Sequence, residues 1–167
     1  RNAIRRPTVE LVLGKDVVRG QEQSLKGKKM ENNFINVELY RHPAAYAREH
    51  GELEQYRASK RANIACRDSI DNAISGHYRR SRLDQAAVAE VDEEFGTERM
   101  FYVLANTLRC QEWDGRYSHD NREWANSMDI QADKDTMGWD RNREFVLHSH
   151  PVKVDLFITM AREKYGN

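Results

Sequence analysis

Apolar residues recur at helical spacing in the middle of the chain. Over residues 52–74, the larger apolar side chains fall in one sector when drawn at about 100° per residue. These side chains are Leu53, Tyr56, Ile64, Ile70 and Ile74. The stripe predicts a helix that packs by one face, and Gly76 follows as a residue type that commonly ends helices.

Similar patterns predict four further helices. One spans 83–95 and ends at Gly96, and the next spans 98–110 with Thr97 as its N-cap. This second helix is apolar on more than half of its circumference, so we expect it to be central. Two more are predicted over 120–127, capped by Ser118, and over 151–165.

Outside the predicted helices, the sequence predicts little β structure. Residues 144–148 carry Phe145, Val146 and Leu147 in a short apolar run, which predicts one strand. The predicted fold is therefore mainly α: a compact helical domain of about five or six helices with at most a small β element.

Charge changes this picture, because its balance is uneven along the chain. The 167 residues hold 27 basic and 27 acidic side chains, yet residues 1–29 carry a net +5 and residues 30–167 a net −5. We therefore predict a basic N-terminal segment, 1–29, and one globular domain, 30–167. Within the segment, a strand over 9–13 and a weak helix over 16–25 are possible. The segment is either a remnant of a longer chain or a basic arm that contacts nucleic acid or an acidic partner.

The sequence contains few signs of catalysis or of membrane insertion. No stretch approaches the roughly 20 apolar residues that a membrane span needs. The two cysteines, Cys66 and Cys110, both fall in predicted helices, which favours a reduced, cytoplasmic protein. There is no glycine-rich phosphate loop, nucleophile motif or Cys-x-x-Cys pair. We expect no cofactor and favour a non-enzymatic protein.

His148 and His150 are the sharpest candidates for chemistry. Residues i and i+2 of a strand point to the same side, so both imidazoles could bind one zinc ion. The tetrapeptide from His148 to Pro151 resembles the His-x-His-Pro core of JAMM metalloproteases. Arg162 stands where that family has an Asp ligand, and Arg cannot bind a metal. The alternative is structural: one histidine caps the last helix and the other is exposed or packed.

A second metal candidate is the stretch from Asp133 to Glu144. An EF-hand loop places oxygen ligands at positions 1, 3, 5 and 12 and glycine at position 6. Asp133, Asp135, Gly138 and Glu144 satisfy four of these positions, whereas Met137 at position 5 offers calcium no oxygen. A solvated polar loop is the alternative.

Two residue sets are candidates for binding. Arg79, Arg80 and Arg82 form the densest basic patch, which either binds phosphates, forms a solvated loop or makes ion pairs to the acidic helix that follows. Aromatic and arginine side chains are frequent interface anchors, which makes a second set candidates for partner contact. That set is Trp113, Arg116, Tyr117, Trp124 and Trp139.

Several runs of residues resemble one particular family. They are 39–57, 61–66, 101–107, 113–116, 121–125 and 149–151. Together they are similar to DUF3849, a family of uncharacterised function, over about residues 40–165. The resemblance implies a domain that occurs in proteins of conjugative elements and phages of gut bacteria. Such domains are thought to counter host defences or to prepare incoming DNA. The resemblance supplies no catalytic residues.

Three functional hypotheses follow from these patterns. The first is a non-enzymatic module that inhibits a host restriction or CRISPR nuclease by protein contact, using the acidic body. The second is a DNA-binding accessory of plasmid transfer or replication that uses residues 1–29, Arg79, Arg80 and Arg82. The third is a zinc hydrolase built on His148 and His150.

Overall fold

A computed structural model of the chain describes residues 37–133 and 142–166. The predicted boundary at Met30, the basic segment 1–29 and the elements predicted within it lie outside these residues. All described residues belong to one compact unit, Val37–Asn167. Its helices are α1 Ala44–Glu49, α2 Leu53–His77, α3 Ala86–Phe95, α4 Thr97–Cys110, α5 His119–Ser127 and α6 Pro151–Tyr165. The mainly α fold is confirmed.

Helix α2 follows the predicted stripe but continues beyond the predicted stop. Ile70 and Ile74 are fully buried on its packed face, together with Cys66. Gly76 lies inside the helix, so the prediction that it ends the helix is wrong. The helix ends at His77 because the chain turns into strand β1, Tyr78–Arg79, and the backbone N–H of Asp84 donates to the His77 carbonyl at 3.1 Å.

Helix α3 begins three residues later than predicted. Arg82–Leu83 forms strand β2, which pairs antiparallel with β1 in the register Tyr78 to Leu83 and Arg79 to Arg82. These two short strands are the small β element. Gly96 then has φ of +87°, a backbone conformation that favours glycine, and it joins α3 to α4 at a sharp corner.

Helix α4 is the central helix, as predicted. Its ten consecutive residues from Arg99 to Leu108 are all buried. Thr97 was predicted as the N-cap but is the first residue of the helix itself. Its hydroxyl donates to the carboxylate of Asp92 on α3 instead of capping α4.

The C-terminal elements agree with the predictions except for the strand. Ser118 caps α5, since its hydroxyl accepts the Asn121 N–H at 3.2 Å, and α6 has the predicted bounds. The strand predicted over 144–148 is wrong: Asn142–Phe145 is a 3₁₀ helix, and an irregular segment follows it. Phe145 and Leu147 are buried nonetheless. Packing on helices α2 and α4 therefore covers the apolar residues that the pattern assigned to a strand.

Two observations bear on the expected environment of the protein. In the described part of the chain, no helix is both long enough and apolar enough to cross a membrane. Cys66 and Cys110 are both free thiols, the first buried and the second partly exposed. Burial raises the pKa of the Cys110 thiol to about 12.

Candidate functional site

An open groove of about 660 Å³ lies between α5 and α6 and reaches the start of α4. Its apolar lining consists of Phe101, Trp124, Met128 and Tyr165. Asp120 and Glu163 add two exposed carboxylates. We call this feature the α5–α6 groove. It joins aromatic surface to negative charge in one concave site.

Trp124 is the central aromatic residue of the groove and is held on two sides. Its ring packs edge-to-face on Phe101, with centroids 5.4 Å apart and an interplanar angle of 84°. The guanidinium of Arg162 lies 5.6 Å from the ring centroid, within cation–π range. Arg162 also donates to Asn121 Oδ1 at 2.7 Å. Trp124 is therefore fixed in place and only half-buried.

The charged side chains that line the groove give it a net negative charge. Arg162, the cation of the lining, is engaged with Asn121 and Trp124. Asp120 and Glu163 form no ion pair within residues 37–133 and 142–166. Aromatic faces and free carboxylates both attract cations, so the groove suits a lysine or arginine side chain of a partner.

Of the other residues predicted for partner binding, those that the structure describes do not line this groove. Trp113 is 76% exposed in the loop after α4. Tyr117 is buried, its hydroxyl donates to Gln111 at 2.9 Å, and burial raises its pKa to about 12. Trp139 lies outside the described residues. Among the described residues of this predicted set, Trp124 alone lines the groove.

Arg116 forms hydrogen bonds within the loop between α4 and α5. Its Nε and Nη2 donate to the two carboxylate oxygens of Asp114 at 3.0 and 2.8 Å. These hydrogen bonds lower the pKa of Asp114 to about 2. Asp114 is 5% exposed, and the pair stabilises the turn of this loop while the rest of Arg116 faces solvent.

The three arginines predicted to bind nucleic acid lie on the β1–β2 hairpin. Arg79 and Arg82 are opposite each other across the two strands, and Arg80 stands at the turn between them. All three are exposed. The hairpin, residues 78–83, thus gathers them at one protruding tip, which we call the arginine hairpin.

His148 and His150 are in different structural positions from those the zinc hypothesis needs. The strand that would put both on one side is absent. The Nδ1 atom of His150 accepts the Val152 N–H at 3.1 Å and so caps α6, while His148 is exposed. In the described ranges, no three His, Cys, Asp or Glu side chains come together to hold a metal ion.

The proposed calcium loop lies mostly outside the described residues. Of its ligand positions, Asp133 and Glu144 are described. Asp133 Oδ2 lies 2.7 Å from His42 Nδ1, and Glu144 is 6% exposed and points at Asn63. Both carboxylates therefore already have protein partners.

Comparison with known proteins gives one result. A family model described as "Protein of unknown function (DUF3849)" matches residues 39–166. The chain belongs to this family. No curated protein and no solved structure matches it. The DUF3849 domain thus includes every described helix, the α5–α6 groove and the arginine hairpin.

The DUF3849 domain also contains a buried polar cluster that the sequence did not indicate. Arg99 donates to Asn63 Oδ1 and to the carbonyls of Ser59 and Val37. Asn63 Nδ2 in turn donates to Glu144 Oε2 at 2.7 Å, and Lys60 Nζ lies 3.8 Å from the same carboxylate. Burial lowers the pKa of Arg99 and raises that of Glu144. This polar cluster joins α2, α4 and the 3₁₀ helix.

The sequence pattern gave only a weak indication of the groove residues that were not predicted. Asp120 and Trp124 are four residues apart on α5, so the pattern does place them on one helix face. Glu163 and Tyr165 lie on α6, and nothing in the sequence says that α6 packs beside α5. The site appears only when the two helices come together.

Proposed function

We propose that this DUF3849 domain is a non-enzymatic binding module of a mobile genetic element that inhibits a host restriction or CRISPR nuclease. Its α5–α6 groove would bind a lysine- or arginine-bearing segment of the nuclease. The observation that carries the proposal is the pairing of Trp124 with Asp120 and Glu163 in one open groove. Such a surface is suited to hold a basic side chain between an aromatic face and carboxylates.

The charge of the body supports the same type of partner. Residues 30–167 carry 19 basic and 24 acidic side chains. Nucleases bind their substrates through basic surfaces, because the phosphate backbone dominates that affinity. An acidic body is attracted to such a surface over long range. The setting proposed for this activity is a mobile element of gut bacteria.

Inhibition of DNA cleavage tests the proposal directly. Purified restriction endonucleases and CRISPR effector nucleases from gut bacteria are assayed for cleavage at rising concentrations of the full chain. We expect at least one to be inhibited and to form a complex with the chain in calorimetry. If no nuclease in the panel is either bound or inhibited, the proposal is wrong.

Charge-neutral variants assign the inhibition to the groove. The double variant Asp120→Asn with Glu163→Gln removes both exposed carboxylates without emptying the core. It should weaken inhibition about tenfold or more, because the partner cation loses its charge complement. The matched control, Glu93→Gln with Glu112→Gln, changes net charge equally at exposed positions outside the groove. Equal effects of the two double variants would reject the groove as the contact.

A further inference from the structure

The arginine hairpin has a turn that its own residues disfavour. Arg80 and Ser81, the two residues between the strands, have φ of +53° and +66°. Two-residue hairpin turns of this kind strongly prefer Asn-Gly or Asp-Gly, because side chains with a Cβ resist positive φ. Neither residue here is of the preferred type, so the turn is locally strained.

The strands of the hairpin add a second unfavourable feature. Arg79 and Arg82 are directly opposite each other and both are exposed. Cross-strand partners have Cβ atoms about 5 Å apart, and like charges at that separation repel. Tyr78 and Leu83, the other cross-strand pair, face the protein, which leaves the side chains of Arg79 and Arg82 on the solvent side.

Within the described part of the chain, the hairpin arginines form no ion pair with the residues around them. Arg80 and Arg82 make no side-chain hydrogen bond there, and Arg79 donates only to the Tyr78 carbonyl. Lys153 adds a further cation, since its Nζ lies 4.5 Å above the Tyr78 ring. Two acidic side chains of this region bind other groups: Asp84 accepts the Ala86 N–H at 2.9 Å, and Glu90 lies 2.7 Å from His77.

From these three observations we propose that the arginine hairpin binds the phosphodiester backbone of a nucleic acid. Guanidinium forks match phosphate oxygens, and successive phosphates present charges closely enough to engage neighbouring arginines together. An anion at the tip would also relieve the repulsion between Arg79 and Arg82. This site is separate from the α5–α6 groove and does not depend on the function proposed for it.

Salt-dependent DNA binding tests this site. The full chain is titrated against fluorescein-labelled single- and double-stranded DNA of mixed sequence, with fluorescence anisotropy read at several salt concentrations. The double variant Arg79→Gln with Arg82→Gln should bind about tenfold more weakly at low salt. It should also lower the slope of log affinity against log salt by about one unit per arginine removed.

A matched variant separates the hairpin from general charge. Arg48→Gln with Arg57→Gln removes the same charge at two exposed positions on α1 and α2 and should leave the DNA affinity within about twofold. Residues 1–29 are present in every variant, so their contribution cancels in the comparison. Equal losses in the two double variants, or no DNA binding by the wild-type chain at low salt, would overturn the proposal.

Competition identifies the chemistry that the site recognises. Inorganic phosphate should displace the labelled DNA only weakly, since it offers one phosphate where the backbone offers several. If it competes as well as unlabelled DNA at equal phosphate concentration, the site is one for a free anion. If poly-glutamate does so, the partner is an acidic protein. Either result contradicts the assignment to nucleic acid.

Discussion

Arginine occupies two opposite environments in this domain. Arg99 is 3% exposed, and its guanidinium donates to oxygens of Asn63, Ser59 and Val37. Arg80 and Arg82 are exposed and make no such contact with any described residue. Arg99 is therefore a structural group with protein partners, whereas Arg80 and Arg82 have no partner among the described residues.

The difference shows how the location of a charge determines its use. A buried charge is tolerated only when its hydrogen-bonding groups are paired, so Arg99 is fixed where α2, α4 and residue 37 meet. An exposed charge needs no protein partner, because water solvates it. The arginine hairpin places such charges together on a strained turn, and their free donors remain available to a ligand.

The largest effect is expected from Arg99→Met. This change removes a buried cation and leaves Asn63 Oδ1 and the Val37 carbonyl without their donor, so it should cost about 3–5 kcal/mol of unfolding free energy. Urea denaturation followed by circular dichroism measures it. Arg82→Met, the matched change on the hairpin, should alter stability by less than about 0.5 kcal/mol. Similar losses of unfolding free energy in the two variants would show that burial does not distinguish the two arginines.

Much of the helical fold could be predicted because its signals are local. Pro151 starts α6 and Ser118 caps α5, each through an interaction with its own helix. Gly96 marks the corner between α3 and α4 by its positive φ. Apolar spacing then placed α2 and α4. These signals depend only on residues within a few positions of each other.

The polar cluster and the α5–α6 groove could not be predicted, because their contacts join residues that are far apart in the sequence. Asn63 and Glu144 are 81 positions apart, and no spacing rule pairs them. Residues 80 and 81 lack the Asn-Gly signature of a two-residue hairpin, so the sequence did not predict the hairpin, although it singled out its arginines. The short apolar run around Phe145 predicted a strand, whereas Phe145 is buried by packing of the 3₁₀ helix on α2 and α4. There a tertiary contact overrides the local pattern.

Ser81→Gly separates strain from charge in the arginine hairpin. Glycine adopts the φ of +66° without penalty, so the variant should be more stable than the wild type by about 1 kcal/mol. Its DNA affinity should be unchanged, because no arginine is removed. Thermal and urea unfolding measure the gain. Ser75→Gly, at an exposed position within α2, should instead lose about 0.5 kcal/mol, and a gain there would mean that the turn is not the cause.

Glu144→Gln tests the acidic side of the polar cluster. Burial raises the folded-state pKa of Glu144 above its ordinary value of 4.5. In the pH interval between these two pKa values, the folded protein therefore binds more protons than the unfolded chain. Wild-type stability should therefore fall as the pH rises through the interval. The variant lacks this fall and keeps an acceptor for Asn63. It should match the wild type below pH 4 and exceed it by up to about 1 kcal/mol at pH 7. Parallel stability curves across this pH range would contradict the prediction.

The smallest change in stability, and the most direct test of the contrast, is expected from Arg79→Glu. It replaces a like-charged cross-strand pair by an oppositely charged one, which should stabilise the hairpin by about 0.5 kcal/mol. The same change should weaken DNA binding more than Arg79→Gln does, because it adds a negative charge beside Arg82. Urea unfolding and anisotropy titration measure the two effects. If the arginines are arranged for binding, Arg79→Glu raises the stability and lowers the DNA affinity. If they are arranged for folding, the variant lowers both the stability and the affinity.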